Sequence, residues 1–281
     1  MPHTPQHLTV SRRRFLGQSA AALIGLHAAV GRAEGETTSA CEEGLRLLSL
    51  ELACAAPLDA MATFYGRDLG LEVLRAEPDR LTIAGGRTRI TFVADRWTEP
   101  PFYHFAFNIP EHKILAARNW QRRRTPLIPG YETLRDPELP DDIVDYRNWN
   151  AHSIFFWDPA GNCVEYIARH DLPADESWGP ADAFGPDDIL YASEIAFIVD
   201  DVASFAGRVE STFGLMQYRR ASDVFHASGD ERGLVLTMRR GRNLGFAEGK
   251  PADVYATAAT LRAPSPATLR AEAFPYHLAA S

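Results

Sequence analysis

Residues 150–167 read NAHSIFFWDPAGNCVEYI, two apolar runs joined by a polar turn. In the turn Asp158-Pro-Ala-Gly-Asn162, Pro presets one backbone angle and Gly takes the left-handed one, while the Asp and Asn side chains can bond to the nearby backbone. Both flanking runs are rich in aromatic and β-branched residues, which favour strands. The stretch therefore predicts a β-hairpin with Glu165 in its second strand.

The same kind of unit recurs along the chain. Three strand-like runs, at residues 49–54, 104–109 and 194–199, each lead into a run with helical periodicity. Short alternating runs typical of hairpins then follow the first and third helices. A fourth unit is expected from about residue 254, with a helix over 266–273, and the chain ends before its hairpins. This periodicity predicts stacked copies of one βαβββ unit.

The 150–167 hairpin, together with Phe64-Tyr65 and Leu69-Gly70-Leu71 at the end of the first helix, resembles the vicinal oxygen chelate superfamily. That superfamily includes glyoxalase I, extradiol dioxygenases, and fosfomycin- and bleomycin-resistance proteins. The resemblance implies an α+β, glyoxalase-like fold, in which repeated βαβββ units form cup-shaped mixed sheets. We expect one complete pair of units followed by an incomplete second pair.

These observations divide the chain into five expected segments. They are an export signal (1–33), a linker (34–45), a first glyoxalase-like domain of two units (46–172), a linker (173–188) and a second, truncated domain (189–281). Residues 125–150, rich in Pro, Asp and Glu, interrupt the second unit where a regular strand would be expected. A connection of this length is often a lid or a pocket wall.

The N-terminal segment resembles a twin-arginine export signal. Arginines 12–14 are followed by Phe15-Leu16, then by an apolar run of small residues, and we expect cleavage after Ala33. The resemblance implies that the mature protein is periplasmic or secreted. No stretch reaches the roughly 20 apolar residues that span a bilayer, so we expect no membrane association after cleavage.

Composition narrows the function further. The 281 residues carry 29 Lys+Arg against 37 Asp+Glu, for a formal net charge of −8. This balance argues against nucleic-acid binding, which needs a basic face. The 3 cysteines include no CxxC pair, and the chain has no GxSxG, P-loop or HExxH motif. The expected partner is a small organic molecule.

The family resemblance also implies a metal site. In that superfamily the ligands of a divalent ion come from the first and last strands of each unit. His104 begins a first strand, and Glu165 lies on a last strand, so both match ligand positions. An imidazole with a carboxylate suits Fe, Mn, Ni or Zn, and open coordination positions allow a substrate to chelate through vicinal oxygens.

The other units depart from the family pattern. In the first unit, Ser49 stands in the place of His104, and about Ile90 in the place of Glu165. In the third unit, Glu194 occupies the first-strand position, and residues 233–238 hold no matching acid. We therefore interpret Glu194 as a structural ion-pair partner rather than a site residue.

A third ligand has to come from elsewhere. His152 precedes Glu165 on the partner strand of the same hairpin, and it is a candidate ligand or proton shuttle if its side chain points inward. Glu51, two residues after Ser49 on the same strand, is another possible donor. The predicted catalytic residues are Glu165 and His152, and the predicted metal ligands are His104, Glu165 and His152.

Three functions remain open at this point. The first is an exported, divalent-metal-dependent lyase, isomerase or dioxygenase acting on a small molecule with vicinal oxygens. The second is a metal-free protein of the same fold that binds and sequesters a small molecule in an aromatic-lined cup. The third is a structural or assembly role. Because the last unit is truncated, a homodimer that completes it between chains is also possible.

Overall fold

Two mixed β-sheets carry the fold of the computed structural model, which describes residues 44–95, 100–246 and 249–281. The helices are α1 (Leu58–Ala62), continued by the wider π-helical turns Thr63–Asp68, α2 (Ile114–Arg122) and α3 (Val202–Phe213), with 3₁₀ turns at Glu132–Leu134, Arg147–Trp149, Glu176–Trp178 and Pro186–Asp188. The strands are β1 (Arg46–Cys54), β2 (Val73–Glu77), β3 (Arg80–Gly85), β4 (Thr88–Ala94), β5 (His104–Ile109), β6 (Leu127–Ile128), β7 (Val144–Tyr146), β8 (Ala151–Trp157), β9 (Cys163–Arg169), β10 (Tyr191–Val199), β11 (Phe225–Asp230), β12 (Gly233–Arg239), β13 (Asn243–Leu244), β14 (Lys250–Pro251), β15 (Thr257–Arg262), β16 (Thr268–Arg270) and β17 (Tyr276–Ala280).

The hairpin predicted over residues 150–167 is present in the structure. Strands β8 and β9 pair antiparallel from Ala151 with Arg169 to Trp157 with Cys163. In the turn, Asp158 Oδ1 accepts hydrogen bonds from the backbone N–H groups of Ala160 and Asn162, each at 2.9 Å. These side-chain bonds replace backbone partners that a tight turn cannot supply.

Helix α3 shows why the predicted helices form. Asp201 caps its start by accepting a hydrogen bond from Ser204 N at 3.0 Å, and Gly214, at φ +68°, ends it in the left-handed conformation. Four apolar side chains at helical spacing, Val202, Phe205, Val209 and Phe213, are buried. The helix therefore packs one apolar stripe against the sheet.

The two sheets combine the units in an order that the sequence does not reveal. The first has seven strands in the order β16-β17-β15-β1-β4-β3-β2, and the second has eight, seven of them in the order β11-β12-β10-β5-β9-β8-β6 with β7 also pairing with β8. The first strand of unit two, β5, runs antiparallel to the first strand of unit three, β10. Likewise, β1 runs antiparallel to β15.

This pairing corrects the expectation that units one and two form a complete pair within residues 46–172. The first strand of each unit has unpaired N–H and C=O groups along one edge, and these groups form hydrogen bonds with the first strand of another unit. The second and third units share one sheet, and the first unit shares the other with the end of the chain. All described residues belong to one compact unit, Cys41–Ser281. The last unit is thus paired within its own chain, without a second copy.

The end of the chain departs from prediction in one more way. The helix expected over residues 266–273 does not form, because Thr268–Arg270 is strand β16 and pairs antiparallel with β17. Pro264 and Pro266 lack the N–H donors of a helix, whereas β17 offers ladder hydrogen bonds to the residues that follow. The last unit is therefore a short three-stranded addition to the first sheet.

One buried cluster joins both sheets and the helices. It includes fully buried aromatic side chains from both sheets and from α3, such as Phe92, Phe107, Tyr166 and Phe213. Within the described residues, no helix is long and apolar enough to cross a membrane. The twin-arginine segment and its cleavage position at Ala33 lie outside the described residues.

Candidate functional site

Three buried titratable side chains meet on one face of the second sheet. Strand β5 lies between β9 and β10, and Ala106 is in register with Glu165 on one side and with Glu194 on the other. Directly opposed residues in neighbouring strands project from the same face. His104 lies two residues before Ala106 and so shares this face. The small side chain of Ala106 leaves room between the two carboxylates.

His104 is held as a neutral imidazole with its lone pair facing Glu165. Its Nδ1 lies 3.0 Å from the carbonyl oxygen of Cys163, which can only accept a hydrogen bond, so Nδ1 carries the proton. The unprotonated Nε2 then lies 3.4 Å from Oε2 of Glu165. Burial lowers the pKa of His104 to about 4, which keeps the ring neutral near pH 7.

Glu165 is buried with half of its carboxyl group unsatisfied. Its side chain is 3% exposed, and Oε1 has no hydrogen-bond partner among the residues that the structure describes. Burial, reinforced by the charge of Glu194, raises the pKa of Glu165 well above its ordinary value. A buried carboxyl group in this position needs either a proton or a cation.

Glu194 both belongs to this group and forms an ion pair with Arg169. Glu194 Oε1 accepts a hydrogen bond from Arg169 Nη2, and both side chains are almost completely buried. The interpretation of Glu194 as an ion-pair partner is confirmed, but the residue also lies beside His104 and Glu165. The sequence does not reveal this second role, because Glu194 has no matching acid in its own unit. The other two side chains of the group, His104 and Glu165, lie in unit two, and no local pattern shows that units two and three pair.

The donor set fits a divalent cation. One ligand atom each of His104, Glu165 and Glu194 lie within 4.8 Å of one another, and all three residues are buried. One imidazole with two carboxylates is a set that Fe(II), Mn(II), Ni(II) and Zn(II) accept. The unpartnered Oε1 of Glu165 is the orphaned atom that such an ion would satisfy. Arg169 is the competing positive charge, since it already compensates Glu194.

The structure does not bring His152 to this group. Phe155, not His152, is the partner of Glu165 across the hairpin, and His152 lies three positions from Phe155 along β8. Since successive side chains alternate between the faces of a strand, His152 projects from the opposite face. The prediction of His152 as a third ligand or proton shuttle beside His104 is therefore wrong.

The first unit contributes no ligand either. Ser49 and Glu51 lie on β1, in the other sheet. Glu51 is exposed, and its Oε2 accepts a hydrogen bond from Arg80 Nη1 at 2.6 Å. Among the residues predicted from the sequence, the structure brings together only His104 and Glu165.

A cavity of about 210 Å³ adjoins the three side chains. An adjoining cavity of about 330 Å³ extends it toward the surface and shares His104, Tyr146, Met238 and Arg242 with it. The connection 125–150 supplies four wall residues, namely Tyr131, Leu134, Tyr146 and Trp149. The prediction that this connection forms a pocket wall is thereby confirmed.

Arg242 brings a positive charge to both cavities. It is the one Lys or Arg side chain lining either of them, and it has no ion-pair partner in the described part of the chain. Its guanidinium lies 5.3 Å from the centre of the Phe225 ring. No motif marks Arg242, which follows the turn after β12, so the sequence gives no sign of its position.

A larger groove of about 490 Å³ lies elsewhere, lined by Gly70, Trp178 and Asp187 among others. It contains neither His104 nor Glu165. We place the candidate site in the smaller cavities, because a buried imidazole and two buried carboxyl groups with shifted pKa values converge there.

Comparison with known proteins supports the fold. No family model and no curated protein matches the chain. Among solved structures, a candidate dioxygenase from Bacillus subtilis aligns with a TM-score of 0.51 at 15% identity, covering 78% of this chain and 71% of its own. Glyoxalase I from Zea mays aligns at 18% identity with a TM-score of 0.45, covering 78% and 75%. A glyoxalase/bleomycin resistance protein/dioxygenase from Alicyclobacillus acidocaldarius is 21% identical, covering 44% and 92%, with a TM-score of 0.35.

The structural neighbours are thus proteins of the glyoxalase, bleomycin-resistance and dioxygenase group. The alignment with the Bacillus subtilis protein, the one of these three with a TM-score above 0.5, supports the glyoxalase-like α+β fold that the hairpin sequence indicates.

Proposed function

We propose that the chain is an exported protein of the vicinal oxygen chelate type that binds a divalent ion through His104, Glu165 and Glu194. It would act as a lyase, isomerase or dioxygenase on a small organic molecule with vicinal oxygens. One observation carries this proposal: among the described residues, a buried carboxylate oxygen of Glu165 lacks a partner beside the lone pair of His104, next to an aromatic-lined cavity.

The ion, when bound, would supply Lewis acidity to the vicinal oxygens or, for Fe or Mn, redox chemistry. Glu165 is the proposed catalytic base of the isomerase version. Among the described residues Glu194 is compensated by Arg169, whereas Glu165 has only the His104 ring beside it, which leaves Glu165 the carboxylate free to accept a proton. It would take a proton from one carbon of the substrate and return it to the next, with no net gain or loss.

Arg242 indicates the charge of the substrate. A guanidinium that lines the cavity, with no carboxylate partner within residues 44–95, 100–246 and 249–281, favours an anionic group, which it can bind through two parallel hydrogen bonds. Tyr146, Trp149 and Phe225 wall the same cavity and would exclude water from the bound molecule. We therefore expect a small acid, for example a 2-oxo or 2-hydroxy carboxylate, rather than a neutral compound.

Location is part of the proposal. The arginine-rich start and small-residue apolar run within residues 1–33 support export to the periplasm or beyond. Fusion of residues 1–40 to a reporter that is active only after export would test this. Replacement of Arg12 and Arg13 by Lys should block export of the reporter.

A specific observation favours a second candidate, a metal-free binding protein. Arg169 already compensates the charge of Glu194, and a protonated Glu165 could donate a hydrogen bond to Nε2 of His104. The group could then be satisfied without an ion, and the cavity would bind a small acid without transforming it.

Elemental analysis separates the two candidates. We expect about one Fe, Mn, Ni or Zn per chain bound at this site in the purified protein, and its loss in His104→Gln and Glu165→Gln. The matched control is His277→Gln, because His277 lies on β17 of the other sheet. Folded protein that takes up no metal at His104 after incubation with each of the four ions would overturn the metal-dependent candidate. Retained binding of small acids, measured by calorimetry, would then support the binding protein.

A further inference from the structure

A second group of metal-binding side chains lies on the opposite face of the same sheet. It consists of His152 on β8, Asp145 on β7 and Asp136 in the connection before β7. Asp145 and His152 are direct cross-strand partners. His152 Nε2 lies 3.9 Å from Asp145 Oδ1 and 4.0 Å from Asp136 Oδ2.

A chain of hydrogen bonds fixes which nitrogen of His152 carries the proton. Nδ1 of His170 lies 2.9 Å from Oε2 of Glu111, so it donates to that carboxylate. We assign His170 this single proton, so its Nε2 is an acceptor, and it lies 2.8 Å from Nδ1 of His152. Nδ1 of His152 is therefore the donor, and Nε2 of His152 carries a lone pair.

The lone pair on Nε2 of His152 faces the carboxylate oxygens of Asp136 and Asp145, which are acceptors as well. His152 Nε2 is buried and has no hydrogen-bond partner in the described part of the chain. The distances to the two carboxylates, 3.9 and 4.0 Å, are too long for hydrogen bonds.

Each aspartate is also oriented by its other oxygen. Asp145 Oδ2 accepts a hydrogen bond from Arg147 Nε at 2.7 Å, which leaves Oδ1 directed at His152. Asp136 Oδ1 accepts one from the backbone N–H of Glu138 at 2.9 Å, which leaves Oδ2 directed at His152. Outer contacts of this kind orient the ligands of metal sites.

We propose that Asp136, Asp145 and His152 form a second divalent-metal site, with His170 and Glu111 as its outer hydrogen-bond partners. Nitrogen and carboxylate donors without sulfur suit Zn²⁺ or Mn²⁺. Because His152 adds an imidazole to the two carboxylates, we expect Zn²⁺ to bind more tightly than Mn²⁺. Ligand atoms around a tetrahedral Zn²⁺ lie about 3.4 Å apart. The two distances from His152 Nε2 to the carboxylate oxygens would have to shorten by roughly half an ångström on binding.

The position of the site indicates its role. Asp136 and Asp145 lie in the connection 125–150, and His152 lies in the sheet beneath it. The same connection supplies Tyr131, Leu134, Tyr146 and Trp149 to the walls of the cavities. An ion at this site would therefore tie the cavity wall to the sheet without touching the ligand.

Zinc titration of the metal-stripped protein tests the site independently of the proposed function. In the His104→Gln variant, where the first site has lost a ligand, calorimetry should still detect one Zn²⁺ per chain. Asp145→Asn in that background should weaken binding at least tenfold, and His170→Gln by roughly 10- to 100-fold. The matched control is Asp141→Asn, since Asp141 is 80% exposed in the same connection.

The outcomes separate the two sites. One Zn²⁺ in both the unmodified protein and His104→Gln supports this site and contradicts the first one. One Zn²⁺ in the unmodified protein and none in His104→Gln overturns this proposal, as does binding that Asp145→Asn leaves unchanged. X-ray absorption of Zn-loaded His104→Gln should show one imidazole with oxygen ligands, and a sulfur ligand would also overturn it. This spectrum keeps the test decisive if Asp145→Asn fails to fold.

Discussion

Arg169 and Glu194 form a buried ion pair across strand β5, the strand that carries His104. Arg169 also donates from Nε to Asn108 Oδ1 at 3.2 Å, and its guanidinium lies 5.4 Å from the centre of the Trp149 ring. The pair joins the second and third units beside the candidate site, where His104 and Glu165 of unit two meet Glu194 of unit three. It thus fixes Glu194 beside His104 and compensates one of the two buried carboxylates.

We predict that Arg169→Met destabilises the protein strongly. Removing one member of a buried pair leaves the other charge without compensation, which typically costs about 3–5 kcal/mol. Urea unfolding of the metal-stripped protein would measure the loss. The control is Arg147→Met, because Arg147 pairs with Asp145 but is 74% exposed, and this change should stay within about 1 kcal/mol.

A double variant tests whether the uncompensated charge causes that loss. Adding Glu194→Gln to Arg169→Met removes the stranded carboxylate, so the double variant should be more stable than Arg169→Met alone. Equal stability of the two would show that lost packing of the arginine stem, rather than charge, explains the effect.

The neutral ring of His104 predicts a specific pH dependence. Its pKa is about 4 in the folded protein against 6.5 in the unfolded chain. The unfolded chain therefore binds a proton that the folded protein does not, and stability falls as pH drops from about 6.5 toward 4. Between pH 7.5 and 4.5 this group should remove about 2.5 kcal/mol from the free energy of unfolding.

The test compares metal-stripped protein with His104→Gln in urea at several pH values. The variant lacks the titrating ring, so it should lose about 2.5 kcal/mol less than the unmodified protein over this range. Groups elsewhere in the chain are common to both proteins, so their contributions cancel in the comparison. Parallel pH profiles would mean that the His104 ring is not held neutral by burial.

The turn at residues 158–162 is anchored from the first unit. Tyr65 donates from its hydroxyl to Asp158 Oδ2 at 2.8 Å, and both side chains are buried. We predict that Tyr65→Phe lowers the free energy of unfolding by about 1.5–3 kcal/mol, because it removes a hydrogen bond to a buried carboxyl group. Tyr131→Phe is the control, since Tyr131 is 47% exposed, and should change stability by less than about 0.5 kcal/mol. Equal effects in thermal unfolding would contradict the anchoring role.

The local elements of this fold could be predicted, because short-range chemistry specifies them. The turn from Asp158 to Asn162 and the capped helix α3 are recognisable from neighbouring residues, although Tyr65 of the first unit also stabilises the turn. The orientation of His152 could not be predicted, because residues 153–156 of β8 are buried on both faces. A strand without alternation does not reveal which face a given side chain takes.

The pairing of units two and three was equally hidden. All first strands are apolar, so any two of them could pair edge to edge. Glu194 therefore looked like an isolated acid, although Ala106 lies between it and Glu165 in the sheet. The place of Glu194 in the candidate site depends on the register between β5 and β10. These strands are far apart in the sequence, and no local pattern specifies how they pair.

The contact between the two sheets at Gly86 yields the last prediction. Gly86 lies in the tight turn between β3 and β4 with φ +59°, and it forms an isolated bridge with Tyr191 at the start of β10. A Cβ atom at this position would lie 2.2 Å from the carbonyl oxygens of Ile189 and Leu190. Because these are backbone atoms of the segment that leads directly into β10 of the other sheet, a side chain here would push that segment and the turn apart.

We expect Gly86→Ala to lower the free energy of unfolding by about 3–5 kcal/mol, from left-handed strain and backbone collision together. Gly241→Ala isolates the strain, because Gly241 has φ +81° and nothing within 4 Å of an added Cβ. That variant should lose only about 1–2 kcal/mol. Urea unfolding of both variants would measure the difference. If the two lose the same stability, the close approach of the turn to residues 189–190 does not hold the sheets together.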